Sequence, residues 1–280
     1  MPELPEVESI RLQLENFLVG HKIESIKVIN TKIFTGEAGK VVGSSFVSVS
    51  RLGKVISMNL DNDYSLVAHV KMTGQFLYKG PRLRPDSKLS SKVVGGLGGP
   101  HTHVIFNLDQ DAKLYYNDVR RFGWIKVLTT SESLSTGLAG KMGPEPFLNL
   151  DKEYFKKNLL KTRRPIKVLL MDQEFIAGVG NIYANDALWL TKLNPKTPSN
   201  LVGDKADLLY ESIHSVLKNG MKYGGSSENS FVTPDGGEGS YQRHTLVYGK
   251  NGTKCANCGT LIEKFMLGGR GTFYCPSCQK

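Results

Sequence analysis

Apolar positions alternate along most of the first 130 or so residues and recur every third or fourth position after about residue 150. The first pattern predicts strands. HKIESIKVIN, KVISMNL, YSLVAHVKMTG, THVIFNL and KLYYNDVRRFGWIKVL are short, rich in β-branched residues and separated by turn residues. One early stretch departs from it: in VESIRLQLENFL, the residues Val7, Ile10, Leu14 and Phe17 or Leu18 form a helical stripe. That helix is expected to start after Pro5, because each proline of the MPELPE opening lacks an amide donor. The second pattern predicts helices in DKEYFKKNLL, RPIKVLLMDQEF, NIYANDALWL and DKADLLYESIHSVLKNGMKYG, with Pro165 and Asn181 at helix starts. Two polar, glycine-rich segments, KGPRLRPDSKLSSKVVGGLGG and GGSSENSFVTPDGGEGSYQRH, are expected to be mobile loops. A β domain, a helical domain and a small terminal module thus follow one another, without an internal repeat.

The length of 280 residues and 40% hydrophobic content agree with about two domains and a sizeable core. No apolar run reaches the roughly 18–20 residues of a membrane span, and MPELPEVESI lacks the basic start and apolar run of a signal peptide. A cytoplasmic protein is expected. The net charge of +10 changes the picture more: it points to a polyanionic partner, nucleic acid first and an anionic membrane surface second.

All four cysteines lie in the last stretch, as C-x2-C-x16-C-x2-C through Cys255, Cys258, Cys275 and Cys278. Each C-x-x-C turn can present two thiolates to one cation, and two such turns complete a tetrahedral zinc site. Two disulfides or a redox pair are the alternatives, and a disulfide framework fits poorly with a chain lacking a secretion signal. Thr260–Phe265 and Arg270–Tyr274 read as strands about a Gly268-Gly269 turn, a hairpin too small to fold without metal.

Other motifs have two readings each. In FIAGVGNIYAND a glycine turn precedes a helix near Asn181, which is either an ordinary turn or a helix terminus suited to a phosphate. The basic stretch KTRRPIK before it is a solvated face or an extension of that anion site. VRRFGW is a core-edge cluster, or places Arg120 at a base edge and Phe122 as a wedge between base pairs. Met72 is most simply a packing residue and Lys54 a solvated one.

Taken in order, MPELPEV, HVKMTG, THVIF, VRRFG, GPEP, AGVGNIYA, LVYG and GRGTFYCPSCQK resemble formamidopyrimidine-DNA glycosylases over essentially the whole chain. The resemblance implies an α+β fold of two domains. An N-terminal β-sandwich with an N-terminal helix would span 1–135 and a linker 136–150. A helix-two-turn-helix domain would span 151–249, with a lesion-capping loop at about 224–241, and a zinc hairpin 250–280. It implies a monomeric, bifunctional enzyme acting on double-stranded DNA, excising oxidised purines and cleaving the abasic site, with one structural zinc and no membrane partner.

If Met1 is removed, Pro2 presents a secondary amine. An ordinary α-amino group has a pKa near 7.7–8.0, so a useful fraction is neutral and nucleophilic. The iminium it forms at sugar C1′ is cationic and acts as an electron sink. Glu3 can serve as general acid and base, and Glu6 is expected to orient the terminus. By the same resemblance, Lys54 contacts phosphate and assists β-elimination, and Arg270 clamps phosphates and assists δ-elimination. Asn181 and Tyr248 hold the backbone, and His101, Arg163 and Lys167 add DNA contacts. Met72, Arg120 and Phe122 fill the void of a flipped nucleotide, with Arg120 facing the orphaned cytosine.

The chain departs from the family pattern at Val119, at Pro100 and in a long insertion from about Arg82 to Gly99, which bears on loop geometry and on His101. The alternatives are an endonuclease VIII-like enzyme for oxidised pyrimidines, against which Leu4 and VRRFG argue, and a non-catalytic zinc-ribbon DNA-binding protein, which leaves the MPELPE start unexplained.

Overall fold

The structure, a computed structural model, describes residues 1–134 and 142–280. The linker expected at 136–150 begins, at 136–141, outside the described residues. The chain forms two compact units, Met1–Gly140 with Tyr223–Gln242, and Lys141–Lys222 with Arg243–Lys280.

The first unit opens with helix α1 (Leu4–Leu18) and continues through β1 (Ile23–Val28), β2 (Phe34–Thr35), β3 (Phe46–Leu52), β4 (Val55–Leu60), β5 (Tyr64–His69), β6 (Gly74–Lys79), β7 (Thr102–Leu108), β8 (Lys113–Asp118), β9 (Trp124–Thr129) and the short helix α2 (Thr130–Leu134). Helix α1 starts one residue before Pro5, which falls in the first turn, where a missing amide donor costs nothing. The strands form a four-stranded sheet ordered β1-β7-β8-β6 and a five-stranded sheet ordered β2-β9-β5-β4-β3. Strand β4 alternates buried and half-buried positions, and its inward Ile56, Met58 and Leu60 meet Phe76, Val104, Phe106 and Tyr116 of the other sheet in one core. The apolar stripe Val7, Ile10, Leu14, Phe17 and Leu18 of α1 joins the same core. This is the expected β-sandwich with an N-terminal helix.

Two continuous strand readings run through a turn, and β2, β3 and the part of β6 beyond Gly74 lie outside the stretches expected to be strands. YSLVAHVKMTG stops being a strand at His69, turns with Lys71 at φ 48°, and enters β6 at Gly74. KLYYNDVRRFGWIKVL divides at Asp118, turns with Arg121 at φ 57°, and resumes as β9 in the opposite sheet. β-Branched and aromatic residues on both sides of each turn mask it in the sequence. The segment 224–241 also differs from expectation. It is part of the β unit, not of the helical one, because Phe231 is buried in the sandwich core and Val232 packs with Leu77 and Tyr115.

The second unit contains α3 (Lys152–Leu159), α4 (Ile166–Leu170), α5 (Asn181–Leu190) and α6 (Ala206–Lys222), then the hairpin β10 (Glu263–Leu267) and β11 (Arg270–Tyr274). Asp151 caps α3 by accepting from the Tyr154 amide at 2.7 Å. Helix α6 buries Leu209, Ile213, Val216 and Leu217 on one face, whereas α5 is buried from Ile182 through Leu188. The helix expected over RPIKVLLMDQEF is shorter, ending at Leu170. Hairpin and helices belong to one compact unit. No helix among the described residues is long and apolar enough to cross a membrane.

Candidate active site

The first residues are fixed rather than frayed. Pro2 is buried, as are the carboxylates of Glu3 and Glu6. Glu3 is the N-cap of α1, in an extended conformation. Glu6, three residues on, accepts from the Glu3 amide through Oε2 at 2.7 Å, as in a capping box. Its Oε1 accepts from the Ser226 amide, also at 2.7 Å. One carboxylate therefore joins the N-terminus to the start of the 224–241 loop. The contact needs a glycine: Gly225 has φ 82°, and a Cβ there would lie 2.8–3.0 Å from atoms of Glu6. The positive end of the α1 dipole favours both buried carboxylates.

Helix α1 is held to β3 by charge. Glu8 Oε1 accepts from Arg11 Nε at 3.0 Å, and Glu8 Oε2 from Arg51 Nε at 2.7 Å, while Arg11 also reaches Glu15 at 2.5 Å. Burial pulls the Glu8 carboxyl up, but the Arg11 and Arg51 hydrogen bonds outweigh it and hold the group below its ordinary value. Arg51 also donates to the Gly53 carbonyl at 3.1 Å, in the two-residue loop Gly53-Lys54 that joins β3 to β4. Lys54 is thus carried on a hairpin turn tied to α1, and it is only 5% exposed. Burial, followed by the charges of Lys71 and Lys54, pushes His69 down to about 3, so its imidazole is neutral across the physiological range.

The two missed turns bring Met72, Arg120 and Phe122 together. Arg120 Nη1 donates to Met72 Sδ at 3.1 Å, and its guanidinium lies 4.6 Å from the centre of the Phe122 ring. Phe122 is 54% exposed, so the cluster is not a core edge. Buried Asp118 builds the turn beneath it: Oδ1 accepts from the Thr73 hydroxyl and from the Arg120 amide at 3.1 Å, and Oδ2 from the Gly123 amide at 2.8 Å. His101 stands beside this turn, its carbonyl accepting from the Asp118 amide at 2.9 Å.

In the second unit, α5 is a polar strut inside an apolar helix. Asn181 donates through Nδ2 to the Gly271 carbonyl at 3.1 Å, and Asn185 accepts from the Phe273 amide at 2.8 Å. Asp186 accepts from the amides of Leu246, Val247 and Tyr248 at 3.0, 3.0 and 3.2 Å. Arg270 is exposed at the head of β11, after Gly268 and Gly269 at φ 57° and 71°, the conformation a two-residue type I′ turn requires. Arg163 is exposed on the segment before α4. Lys167 differs from the direct DNA contact expected of it. It is fully buried, and its ammonium donates to the Gly271 carbonyl at 2.9 Å and the Thr272 hydroxyl at 2.7 Å. A buried cation so satisfied positions the strand that follows Arg270 and does not present itself to a phosphate.

No motif of the sequence points to Asp118, Asn185 or Asp186. The signal for the last two is their place: adjacent polar residues inside the otherwise apolar run NIYANDALWL.

The four cysteine sulfurs lie within 4.8 Å of one another, with Cys255–Cys278 at 3.9 Å and Cys258–Cys275 at 3.4 Å. A tetrahedral site with Zn–S near 2.3 Å needs sulfurs about 3.8 Å apart, whereas a disulfide needs about 2.0 Å. The thiols fit one structural zinc, and four protein ligands leave no open position for water. The hairpin has little else: Val247, Cys255, Ile262, Phe273 and Cys275 form its small core.

Three family models match the chain in order: the formamidopyrimidine-DNA glycosylase N-terminal domain at residues 1–125, the H2TH domain of the same enzymes at 142–232, and a zinc finger found in FPG and IleRS at 252–280. The class they define is a zinc-finger DNA glycosylase. Formamidopyrimidine-DNA glycosylases of Bacillus cereus and Streptococcus mutans are 36% and 37% identical to it, the alignments covering the whole chain and 99% and 100% of the relatives. The Lactococcus lactis Fpg bound to DNA containing an abasic site superposes with a TM-score of 0.86 at 35% identity, over 99% of each chain. The same protein with N7-benzyl-Fapy-dG DNA gives 0.86 over 100% of each. The chain belongs to the formamidopyrimidine-DNA glycosylase family.

Proposed function

We propose that the protein excises oxidised purines from duplex DNA and cleaves the abasic site left behind, with Pro2 as nucleophile. The observation that carries this reading is the buried, hydrogen-bonded N-terminus, where Glu6 clamps the Glu3 amide on one side and the 224–241 loop on the other. Termini are ordinarily frayed, and one built into the structure has a use.

A base stacked in a duplex is out of reach, so the damaged nucleotide is extruded, and Met72, Arg120 and Phe122 occupy the gap. With Met1 removed, the Pro2 amine attacks C1′. The C1′–N9 bond breaks and its electron pair leaves with the purine, which takes up a proton. Glu3 gives a proton to O4′ as the sugar opens, leaving an iminium between C1′ and Pro2. The cation acidifies the hydrogen on C2′, whose loss expels the 3′ phosphate. A second elimination expels the 5′ phosphate, and water frees Pro2. Lys54 and Arg270 are the cations for the departing phosphates, with Asn181, Tyr248, His101 and Arg163 as further contacts to the DNA. The zinc takes no part in these steps and supports the hairpin that carries Arg270.

Borohydride reduction of the protein with a duplex containing 8-oxoguanine tests the reading. A covalent protein–DNA adduct is expected, lost in Pro2→Gly while DNA binding is largely kept. No adduct in the unaltered protein would leave a non-catalytic DNA-binding protein. An equal adduct with Met1 retained would move the nucleophile elsewhere.

A further inference from the structure

The segment from about Arg82 to Gly99 is polar and glycine-rich, yet it is bolted to another loop of the first unit. Lys92 Nζ donates to Glu238 Oε2 at 2.6 Å and also to the carbonyl of Ser227. The Ser90 hydroxyl donates to the other oxygen of Glu238, and the Ser90 amide to the Gly236 carbonyl at 2.8 Å. Gln75, buried on β6, binds both loops: its Nε2 donates to the carbonyls of Lys92 at 2.8 Å and Ser230 at 2.7 Å, and its Oε1 accepts from the Val94 amide at 3.0 Å. The ammonium of Lys92 thus grips the 224–241 loop near both of its ends, at Ser227 and Glu238. One residue before Ser227, the Ser226 amide is bound by Glu6, which also holds the Glu3 amide.

We propose that residues 89–94 are a latch that positions the 224–241 loop against the N-terminus of α1, with Lys92 as the positioning residue and Glu238, Ser227 and Gln75 as its seat. The inference rests on the proposed function, together with the lesion-capping role that the family resemblance implies for that loop. A loop of this composition is costly to order, and a half-buried cation shared between a carboxylate and a carbonyl offsets that cost where solvent screening is reduced. The latch acts on the step that needs a covered base. It has no bearing on a preformed abasic site, which has no base to cover.

The test compares Lys92→Met, which keeps most of the stem and removes the charge, with the unaltered protein. Two single-turnover rates are read: excision of 8-oxoguanine opposite cytosine, and cleavage at a preformed abasic site. Excision should slow by about fivefold to tenfold, the scale of one partly screened charge-assisted contact, with abasic-site cleavage within about twofold. Unchanged excision, or an equal loss in both reactions, overturns the proposal. Hydrogen exchange gives a second reading that needs no activity. Amides from 226 to 240 should exchange about fivefold faster in Lys92→Met while those of β5 and β9 keep their rates. Unaltered exchange in the loop also overturns it. An unaltered protein that excises no oxidised purine would refute the proposed function instead, and the exchange result would still decide the latch.

Discussion

The N-terminus of α1 and the zinc hairpin both carry residues expected to meet DNA, and they are held by different means. Glu3 and Glu6 begin a helix whose apolar stripe belongs to the core of a two-sheet sandwich, and a belt of Glu8, Arg11 and Arg51 ties that helix to the turn bearing Lys54. Arg270 lies on a two-stranded hairpin of mostly exposed or half-buried residues with a core of five. There the organising forces are four thiolates and three polar struts, from Lys167, Asn181 and Asn185. A large apolar core tolerates the loss of a polar contact, whereas a hairpin without one depends on each.

The strongest way to break this contrast is to remove the metal. A structural zinc contributes on the order of 10–16 kcal/mol to a module of this kind. Chelation should abolish DNA binding, read by fluorescence anisotropy, while the β-sandwich keeps its far-ultraviolet circular dichroism. Trp189 donates to Cys255 Sγ at 3.4 Å and Trp124 lies in β9, so a Trp124→Phe protein reports the zinc site alone. Zinc-free protein that binds DNA normally would overturn the contrast.

Next in size is Glu3→Gln, which keeps the N-terminal scaffold and removes the proton donor. Excision should fall by about 10²–10⁴-fold with binding to damaged DNA retained. Full excision would remove Glu3 from its role. Arg120→Ala sharpens the comparison within the first unit. A guanidinium can donate to O2 and N3 of an opposing cytosine, whereas adenine offers an acceptor beside an opposing amino donor. The ratio of excision opposite cytosine to excision opposite adenine should shrink by roughly ten- to hundredfold. An unchanged ratio would mean that Arg120, Met72 and Phe122 only pack.

Lys167→Met removes the buried donor to the Thr272 hydroxyl and one of the two donors to the Gly271 carbonyl, which keeps Asn181, a cost of about 1–3 kcal/mol. DNA affinity should weaken by about tenfold through a loosened β11, and the thermal stability of the sandwich should not change. A matching loss in the sandwich would contradict the polar-strut account.

The smallest effect concerns acid. The folded value of His69, about 3, lies below the ordinary 6.5, so the unfolded chain binds the proton first. The stability that depends on neutral His69 is therefore present above about 6.5 and is lost as the pH falls towards 3. His69→Gln should flatten the stability profile on that side by up to about 1.4 kcal/mol per pH unit, and leave it unchanged near neutrality. Denaturant midpoints at pH 5 and pH 7.5 measure the difference.

Local chemistry was the most legible part of the sequence. Four cysteines at C-x2-C spacing gave the zinc site, and the Val7–Leu18 stripe gave α1, because a ligand turn and an amphipathic helix are each written in neighbouring residues. The sandwich strands β1, β4, β5 and β7, and β8 with β9 run together, were legible as alternation, whereas β2, β3 and the part of β6 beyond Gly74 lie outside the stretches read as strands. HVKMTG and VRRFG conceal their turns because a positive φ at Lys71 or Arg121 has no composition signal, unlike a glycine. Buried polar contacts were illegible for another reason. Lys167 reads as one more cation of KTRRPIK, and only its approach to Gly271 and Thr272, some hundred residues later, shows it as a strut. The two glycine-rich segments read as mobile because composition cannot reveal that Phe231 and Val232 anchor one of them and Lys92 joins it to the other.

The hydrogen bond from the Ser226 amide to Glu6 spans 220 positions of the chain. A ribosome adding roughly 5–20 residues per second takes about 10–45 s to travel that distance. During synthesis the glutamates of the opening are therefore made almost first and clamped almost last, after the whole helical segment between them has emerged. A nascent chain stopped at Lys222 has every strand of the sandwich and none of its second clamp, so the ends of the first unit meet only near the completion of translation.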